Sequence, residues 1–191
     1  MKIAINAAIL DDRPSGLGTY TLNVILGLSR ITQNPLLVFT AQPGLFVRCN
    51  LETIKISQRL QPKLGKFAGI YRFFWTQFVL PFRIVESKCD FVYHTAHYLA
   101  LFTRVSQIMT IHDLVPFKYP TRHILQFLYF KFLIPVFLRK ARTIVTVSEN
   151  TKKDLCAYYR IPAKKIAVVY NGFSSELFNN NIDLRRGTVR N

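Results

Sequence analysis

Short apolar runs alternate with longer amphipathic segments along the chain. Seven runs of five to eight residues are rich in Val, Ile, Leu and Phe, as in strands buried within a sheet. They predict strands at residues 3–10, 36–41, 51–56, 90–94, 105–111, 143–147 and 166–170, the third of them near an edge. Helical spacing predicts helices at residues 19–30, 70–86, 122–142 and 149–159. This alternation predicts an α/β domain with a Rossmann-like, open, mostly parallel sheet and helices on both faces.

Two of the predicted helices contain a proline. Pro81 lies within residues 70–86 and Pro135 within residues 122–142. Because proline lacks an N–H group and its ring clashes with the preceding turn, we expect each helix to be bent or divided there. Residues 58–69 are basic and contain proline and glycine, so they are predicted to form a loop.

Polar residues follow five of the predicted strands, and ligands of open parallel sheets bind beyond these carboxyl ends. After the first strand, Gly16-Leu17-Gly18 leads into a helix. Glycine lets a phosphate approach the backbone, and the first amide groups of a helix attract its charge. A tight turn without a ligand is the alternative explanation. The other residues at strand ends are His94, His97, His112, Asp113, Ser148, Asn171 and Gly172.

Among these residues, His112 is the most suggestive of chemistry. A neutral imidazole at a strand end can accept a proton, or donate a hydrogen bond to a sugar hydroxyl, and Asp113 can orient a turn or a ligand hydroxyl. A histidine whose partners are backbone groups in a turn is an equally open interpretation. Ser148 is also suited to be a helix N-cap, and Asn171-Gly172 to be a turn dipeptide.

Common cofactor motifs are missing or incomplete. A dinucleotide fingerprint needs a third glycine where this chain has Thr21, and an acidic residue after the second strand, where none stands. The phosphate-binding loop of nucleotide triphosphatases is absent as well. No ligand spacing specifies a metal site among the residues that could be drawn together for one, which are His94, His97, His112, Asp113 and His123.

The charge balance indicates an anionic partner. The chain has 26 Lys and Arg against 10 Asp and Glu, a net charge of +16. Nucleic acid, an anionic membrane and a phosphorylated substrate all fit this excess. Three widely spaced cysteines, Cys49, Cys89 and Cys156, are typical of reduced cytosolic thiols. No signal peptide is recognised, and the apolar run at 124–138 is shorter than the ~20 residues of a membrane-spanning helix.

Residues 63–83 combine cations with aromatic side chains. Lysines and arginines alternate there with phenylalanines, a tyrosine and a tryptophan. Such a segment suits the surface of an anionic membrane, with aromatic rings in the interface and cations on the headgroups. An ordinary helix with its aromatic face in the core explains the same pattern.

Taken in order, several segments resemble the N-terminal, acceptor-side domain of the family 4 retaining glycosyltransferases, which is one half of a GT-B fold. The resemblance covers about residues 1–178, and residues 179–191 are predicted to be a polar tail or linker. The matching segments are residues 2–7, 15–20, 74–77, 80–81, 90–94, 110–114 with Pro116 and Pro120, 146–155 and 168–172.

This resemblance implies an enzyme that transfers a sugar from a nucleotide-sugar donor to a glycan or lipid-linked acceptor, without a metal or other cofactor. It implies catalytic roles for His112 and Asp113, and an acceptor-side position for His94 and His97. It also implies a row of residues along the donor-phosphate cleft, namely Gly16, Gly18, Tyr20, Ser148, Asn171 and Gly172.

The family's second domain, with the basic residue and paired glutamates that hold the donor, has no counterpart in this sequence. We therefore expect the chain alone to be inactive and to need a donor domain, which a separate chain could supply. We expect a cytoplasmic protein, and a peripheral position on the inner membrane face stays open. The alternative function is a non-catalytic basic module for anionic membrane or nucleic acid, although no recognition motif favours nucleic acid.

Overall fold

A parallel sheet of seven strands organises the part of the chain that the computed structural model describes, residues 1–49, 51–119 and 124–172. The strand order is β3-β2-β1-β4-β5-β6-β7, and all neighbouring strands are parallel. This confirms the predicted Rossmann-like sheet, with the third strand at an edge. The strands are β1 (Ile3–Asn6), β2 (Leu36–Thr40), β3 (Glu52–Lys55), β4 (Phe91–His94), β5 (Ser106–Ile111), β6 (Thr143–Thr146) and β7 (Ile166–Val168).

Helices cover both faces of this sheet. On one face, Ile25 of the first helix packs with Ile5 and Val38 of the sheet. On the other face, a cluster around Leu80 and another around Ile134 pack against the alternate residues of the strands. The helices are α1 (Leu17–Ile31), α2 (Lys66–Phe74), α3 (Leu80–Glu86), α4 (Val115–Lys118), α5 (Ile124–Leu128), α6 (Ile134–Lys140) and α7 (Glu149–Tyr159).

Both prolines divide their helices, as the sequence predicts. A π-helical turn, Trp75–Val79, joins α2 to α3 just before Pro81, and a second one, Tyr129–Leu133, joins α5 to α6 just before Pro135. Each proline lies at the start of the following α-helix, where its missing N–H group costs little. Each π-helical turn therefore precedes the position where the usual hydrogen bond from the proline nitrogen cannot form.

Several predicted boundaries are wrong. The predicted loop 58–69 ends early, because α2 begins at Lys66 after Gly65 adopts a positive φ of 73°. The first strand ends at Asn6 rather than at residue 10, since the Asn6 side chain accepts a hydrogen bond from the Ala8 amide and starts a turn. Helix α1 begins two residues earlier than predicted, and the short α4 was not predicted. Pro120, His123 and the predicted tail 179–191 lie outside the described residues.

Candidate active site

The strand order reverses at β1. From β1 the chain proceeds through β2 to β3 on one side, then crosses back to β4 and continues to β7 on the other. Loops that leave β1 and β4 at their carboxyl ends therefore diverge and open a crevice, which is where ligands of such sheets bind. The glycine turn follows β1, His97 follows β4, and His112 follows the neighbouring β5.

The glycine turn presents the start of α1 to this crevice. Gly16 has φ 50° and ψ −111°, a backbone conformation that favours glycine. A Cβ atom on Gly18 would lie 3.3 Å from Cβ of Pro14, so the close packing of helix against loop also favours glycine there. No side chain caps the start of α1, and its first turn has no acidic residue. The positive end of the helix dipole is therefore available to an anion.

The structure fixes the orientation and tautomer of His112. Its Nε2 atom lies 3.0 Å from the carbonyl oxygen of Thr95, and because a carbonyl can only accept, Nε2 carries the proton. Nδ1 is then the nitrogen that can accept a hydrogen bond or a proton. Thr151 of α7 holds the loop by donating to the His112 carbonyl at 3.1 Å. Burial lowers the pKa of His112, so the ring is neutral at pH 7.

Tyr20 of α1 is the immediate neighbour of His112. The two rings meet edge to face with centroids 4.5 Å apart. The Tyr20 hydroxyl group is directed into the sheet, 3.0 Å from the Tyr93 hydroxyl and 3.4 Å from Oγ1 of Thr110. Burial raises the pKa of Tyr93, so the Tyr93 hydroxyl stays protonated. The Tyr20 ring therefore positions the imidazole by an edge-to-face contact, and the Tyr20 hydroxyl anchors α1 to the sheet.

His94 lies inside the fold, at the end of β4. Its side chain is 1% exposed, Nε2 donates to Oε1 of Gln107 at 2.8 Å, and Nδ1 accepts from the Asn6 amide at 3.2 Å. Burial lowers its pKa to about 4, so it is neutral. Both ring nitrogens of His94 are thus hydrogen-bonded inside the fold, so His94 positions Asn6 and Gln107 rather than facing the crevice.

His97 is half-buried in an aromatic cluster beside the crevice. Its ring stacks on Tyr98 at 5.3 Å and lies 5.3 Å from the ring of Phe130. Burial, followed by the nearby His112 and Arg72, lowers its pKa to about 4. The Tyr129 hydroxyl donates to the His97 carbonyl at 2.7 Å and fixes the loop. His97 is thus the second neutral histidine near the predicted catalytic residue.

The remaining predicted residues lie along the same edge of the sheet. Asp113 is exposed, and its Oδ1 accepts from the Val115 amide at 3.0 Å, which turns the chain into α4. Ser148 is the N-cap of α7 and accepts from the Thr151 amide at 3.1 Å. Asn171 and Gly172 are exposed and follow β7, three strands away from β4. The structure thus brings Tyr20, His97 and His112 together, and leaves the β7 end at the far side of the edge.

Sequence analysis missed the buried polar residues that support this edge. Thr21 of α1 donates to Oγ1 of Thr95 at 2.8 Å, and so joins the helix to the residue that orients His112. Gln107 bonds both His94 and the backbone of Ala100. A polar residue inside an apolar run, such as Gln107 in residues 105–111, was the only available signal. Their partners are distant in sequence and could not be assigned from it.

Other classes of site find little support in the described ranges. Within residues 1–49, 51–119 and 124–172, no group of three His, Cys, Asp or Glu side chains is arranged to hold a metal ion. The helices of these ranges are all too short or too polar to cross a bilayer. A groove of ≈ 340 Å³, lined by Ser29, Pro35 and Glu52 among others, lies at the opposite end of the strands, away from His112.

Comparison with known proteins indicates one family. A family model described as Glycosyltransferase Family 4 matches residues 14–177. The O-antigen chain mannosyltransferase RfbU of Salmonella typhimurium is 34% identical over 73 residues, which is 38% of this chain and 20% of that protein.

Solved structures share the fold. HepE of Anabaena in complex with UDP and glucose has a TM-score of 0.61 and 16% identity, over 99% of this chain and 50% of HepE. HepE in complex with UDP-glucose gives a TM-score of 0.59 and 14% identity, over 100% of this chain and 51% of HepE. A glycosyltransferase from Rickettsia africae has a TM-score of 0.55 and 14% identity, over 97% of this chain and 49% of that protein. This chain therefore spans about half the length of these solved relatives.

Proposed function

Because the chain belongs to Glycosyltransferase Family 4, we propose that it is the acceptor-side domain of an enzyme that transfers a sugar from a nucleotide-sugar donor to a glycan or lipid-linked acceptor. The match to a mannosyltransferase and the likeness to HepE, crystallised with UDP and glucose, support a nucleoside diphosphate hexose as the donor. A donor-binding domain, in the same chain or another, supplies the second wall of the cleft. A non-catalytic basic module is not favoured by the family match.

The observation that carries this proposal is the neutral, oriented imidazole of His112 at the point where the strand order reverses. Its Nε2–H is held by the Thr95 carbonyl, and its Nδ1 remains able to accept. A neutral acceptor can take a hydrogen bond from a sugar hydroxyl without drawing water or a counter-ion to the site. We assign to His112 the contact with the transferring sugar, and to Tyr20 the positioning of its ring.

Charge develops on the donor phosphates as the sugar leaves, and the start of α1 is suited to stabilise it. The helix dipole favours negative charge at the start of α1, where no side chain caps the first turn and the Gly18 amide donates to the Ser15 carbonyl at 2.9 Å. Gly18 allows close approach of the phosphates because it has no side chain. We propose no metal ion in this step, since backbone amide groups and the donor domain can supply the required positive potential.

The test is sugar transfer by the chain joined to its donor domain. We expect His112→Ala to lower kcat by about 100-fold or more, as the loss of one preorganised polar contact in the transition state does. The thermal midpoint should fall as well, because the Thr95 carbonyl loses its donor, so turnover is measured below that midpoint. Lys153→Ala, an exposed position of α7, is the matched control and should retain full turnover. Turnover of His112→Ala equal to that of the control would refute the assigned role.

A further inference from the structure

The outer surface of α2 and α3 is apolar along its whole length. Six large side chains, each more than 40% exposed, follow one another at helical spacing, namely Phe67, Tyr71, Phe74, Phe78, Phe82 and Val85. We call these six residues the aromatic stripe. Phe82 is the most exposed of them, at 76%. The opposite surface of the same helices is buried against the sheet through Leu80 and Ile84.

Aromatic rings in this stripe are ordered against one another rather than scattered. Phe74 stacks on Phe78 with centroids 6.0 Å apart, and Phe78 stacks on Phe102 of the following loop at 5.7 Å. Phe102 is itself 65% exposed. A helix that is apolar on all sides is normally covered, and a continuous exposed apolar patch indicates an interaction surface.

A second exposed apolar surface lies on the neighbouring helices. Four exposed apolar side chains project from α5, from the π-helical turn after it and from α6, namely Leu125, Leu128, Phe132 and Val136. Leu125 is 72% exposed. The two helical units are in contact, because the ring of Phe73 in α2 meets that of Tyr129 at 6.5 Å. Both units pack on the same face of the sheet. The two exposed apolar surfaces therefore belong to the same helical layer of the domain.

Cations accompany this surface. Residues 63–86 and 124–140 contain seven Lys and Arg, of which Arg72 is buried and Lys63 pairs with Asp12. Their one acidic residue, Glu86, pairs with Arg83. Beside Phe132, an open groove of ≈ 280 Å³ is lined by Lys131, Arg139 and Arg160, with Phe117, Tyr158 and Tyr159. The Lys131 ammonium lies 5.5 Å from the ring of Phe132. This groove has three cations and no carboxylate among its lining residues.

We propose that this face of the domain docks on an anionic lipid bilayer, with the aromatic stripe in the interface and a headgroup phosphate in the groove of Lys131, Arg139 and Arg160. Interfacial binding combines apolar burial with cations near the headgroups. A second copy of this chain would bring like charges together. Residues 179–191 carry three arginines and one aspartate, so they do not complement the surface either.

Docking would bring the bilayer to the side of the candidate active site. Helices α2 and α5 start near the carboxyl ends of the strands, so Phe67 and Leu125 lie toward the edge that holds His112. A lipid-linked acceptor could then reach the crevice without leaving the membrane. This consequence rests on the proposed function, whereas the docking itself does not.

The test is partition of the full chain onto sedimented vesicles of phosphatidylcholine, with and without about one third phosphatidylglycerol. The first variant is Phe74→Ser/Phe78→Ser/Phe82→Ser, and the second is Lys131→Gln/Arg139→Gln. Each has a control on another part of the surface. Ile31→Ser/Val47→Ser removes two side chains that are 80% and 79% exposed, and Arg30→Gln/Lys55→Gln removes two exposed cations.

We expect the parent chain and both controls to bind the anionic vesicles at least about tenfold more strongly than the neutral ones. Both test variants should lose about tenfold or more, with unchanged circular dichroism, and binding should weaken as salt rises. Equal partition of test and control variants would overturn the proposal. So would a dimer in sedimentation velocity that the phenylalanine variant abolishes, since a second copy would then cover the surface. Neither measurement involves sugar transfer, so they judge docking separately from the proposed activity.

Discussion

The buried His94 predicts how the stability of the domain depends on pH. Its pKa falls from the ordinary 6.5 to about 4 in the folded protein, because burial disfavours the charged ring. Between these two pH values the unfolded chain binds a proton at His94 and the folded chain does not. The free energy of unfolding therefore decreases as pH falls through this window, and the contribution of His94 is fully present above pH 6.5.

The magnitude follows from the shift. The pKa of His94 is lower in the folded than in the unfolded chain by about 2.5, and each pKa unit is worth about 1.36 kcal/mol. The free energy of unfolding is therefore lower by about 3 kcal/mol at pH 4 than above pH 6.5. His97 has the same lowered pKa and adds a second proton to the slope. Asp12, whose carboxyl pKa is lowered by its hydrogen bond with Lys63, titrates below this window. Near pH 5, His94 and His97 should give a slope approaching about 2.7 kcal/mol per pH unit. The lowered pKa of His112 adds to this slope in the same direction.

Urea unfolding at several pH values between about 4.5 and 7.5 measures this slope. His94→Gln removes one titrating group, and we expect it to lower the slope by about 1.4 kcal/mol per pH unit. Val92→Ala, a fully buried residue on the same face of β4, is the control for general destabilisation and should leave the slope unchanged. A slope in His94→Gln equal to that of the parent chain would refute the reasoning.

Four further substitutions, in three tests, probe other parts of the structure by the same urea assay. Gly16→Ala forces an L-residue to φ 50° and should lower the free energy of unfolding by about 1 to 2 kcal/mol. Gly27→Ala, in open space within α1, should raise it by about 0.5 to 1 kcal/mol. Equal effects of the two substitutions would contradict the argument from backbone conformation. Ser148→Ala removes the N-cap of α7 and should lower the free energy of unfolding by about 1 kcal/mol. No loss would show that the Thr151 amide finds another hydrogen-bond acceptor. Arg72→Met leaves the Leu60 carbonyl without its donor at 2.6 Å and should cost about 1 to 3 kcal/mol; a neutral result would mean that water replaces the guanidinium.

The sheet was predictable because its strands are nearly continuous apolar runs. Such runs are typical of strands that are buried on both faces. Their alternation with helical segments favours a parallel sheet covered by helices. The residues at the carboxyl ends of the strands could be named for the same reason. His112, His97 and the glycine turn therefore lie at one edge, as the topology requires.

Side-chain environments were not predictable, because they depend on partners far away in sequence. His94 ends β4 and His97 follows it three residues later, so the two look alike in the sequence. In the structure, His94 is bonded to Asn6 and Gln107 inside the fold. The exposure of the aromatic stripe also could not be decided, since the same spacing suits a core. The π-helical turns before Pro81 and Pro135 were not predictable either, since a proline in a helical pattern is equally compatible with a bend and with an interruption.

The most direct test of the central claim is a chemical-shift titration of the isotope-labelled chain with UDP-glucose and GDP-mannose. The account holds that the carboxyl edge of the sheet is one wall of a donor cleft. It predicts weak binding, about millimolar or about 4 kcal/mol, with the shifts confined to amide groups around Gly16, Gly18 and His112. Micromolar binding would contradict the half-cleft proposal, because the domain would then hold the nucleotide alone. Shifts that map instead to the groove around Ser29 and Glu52 would contradict the placement of the site.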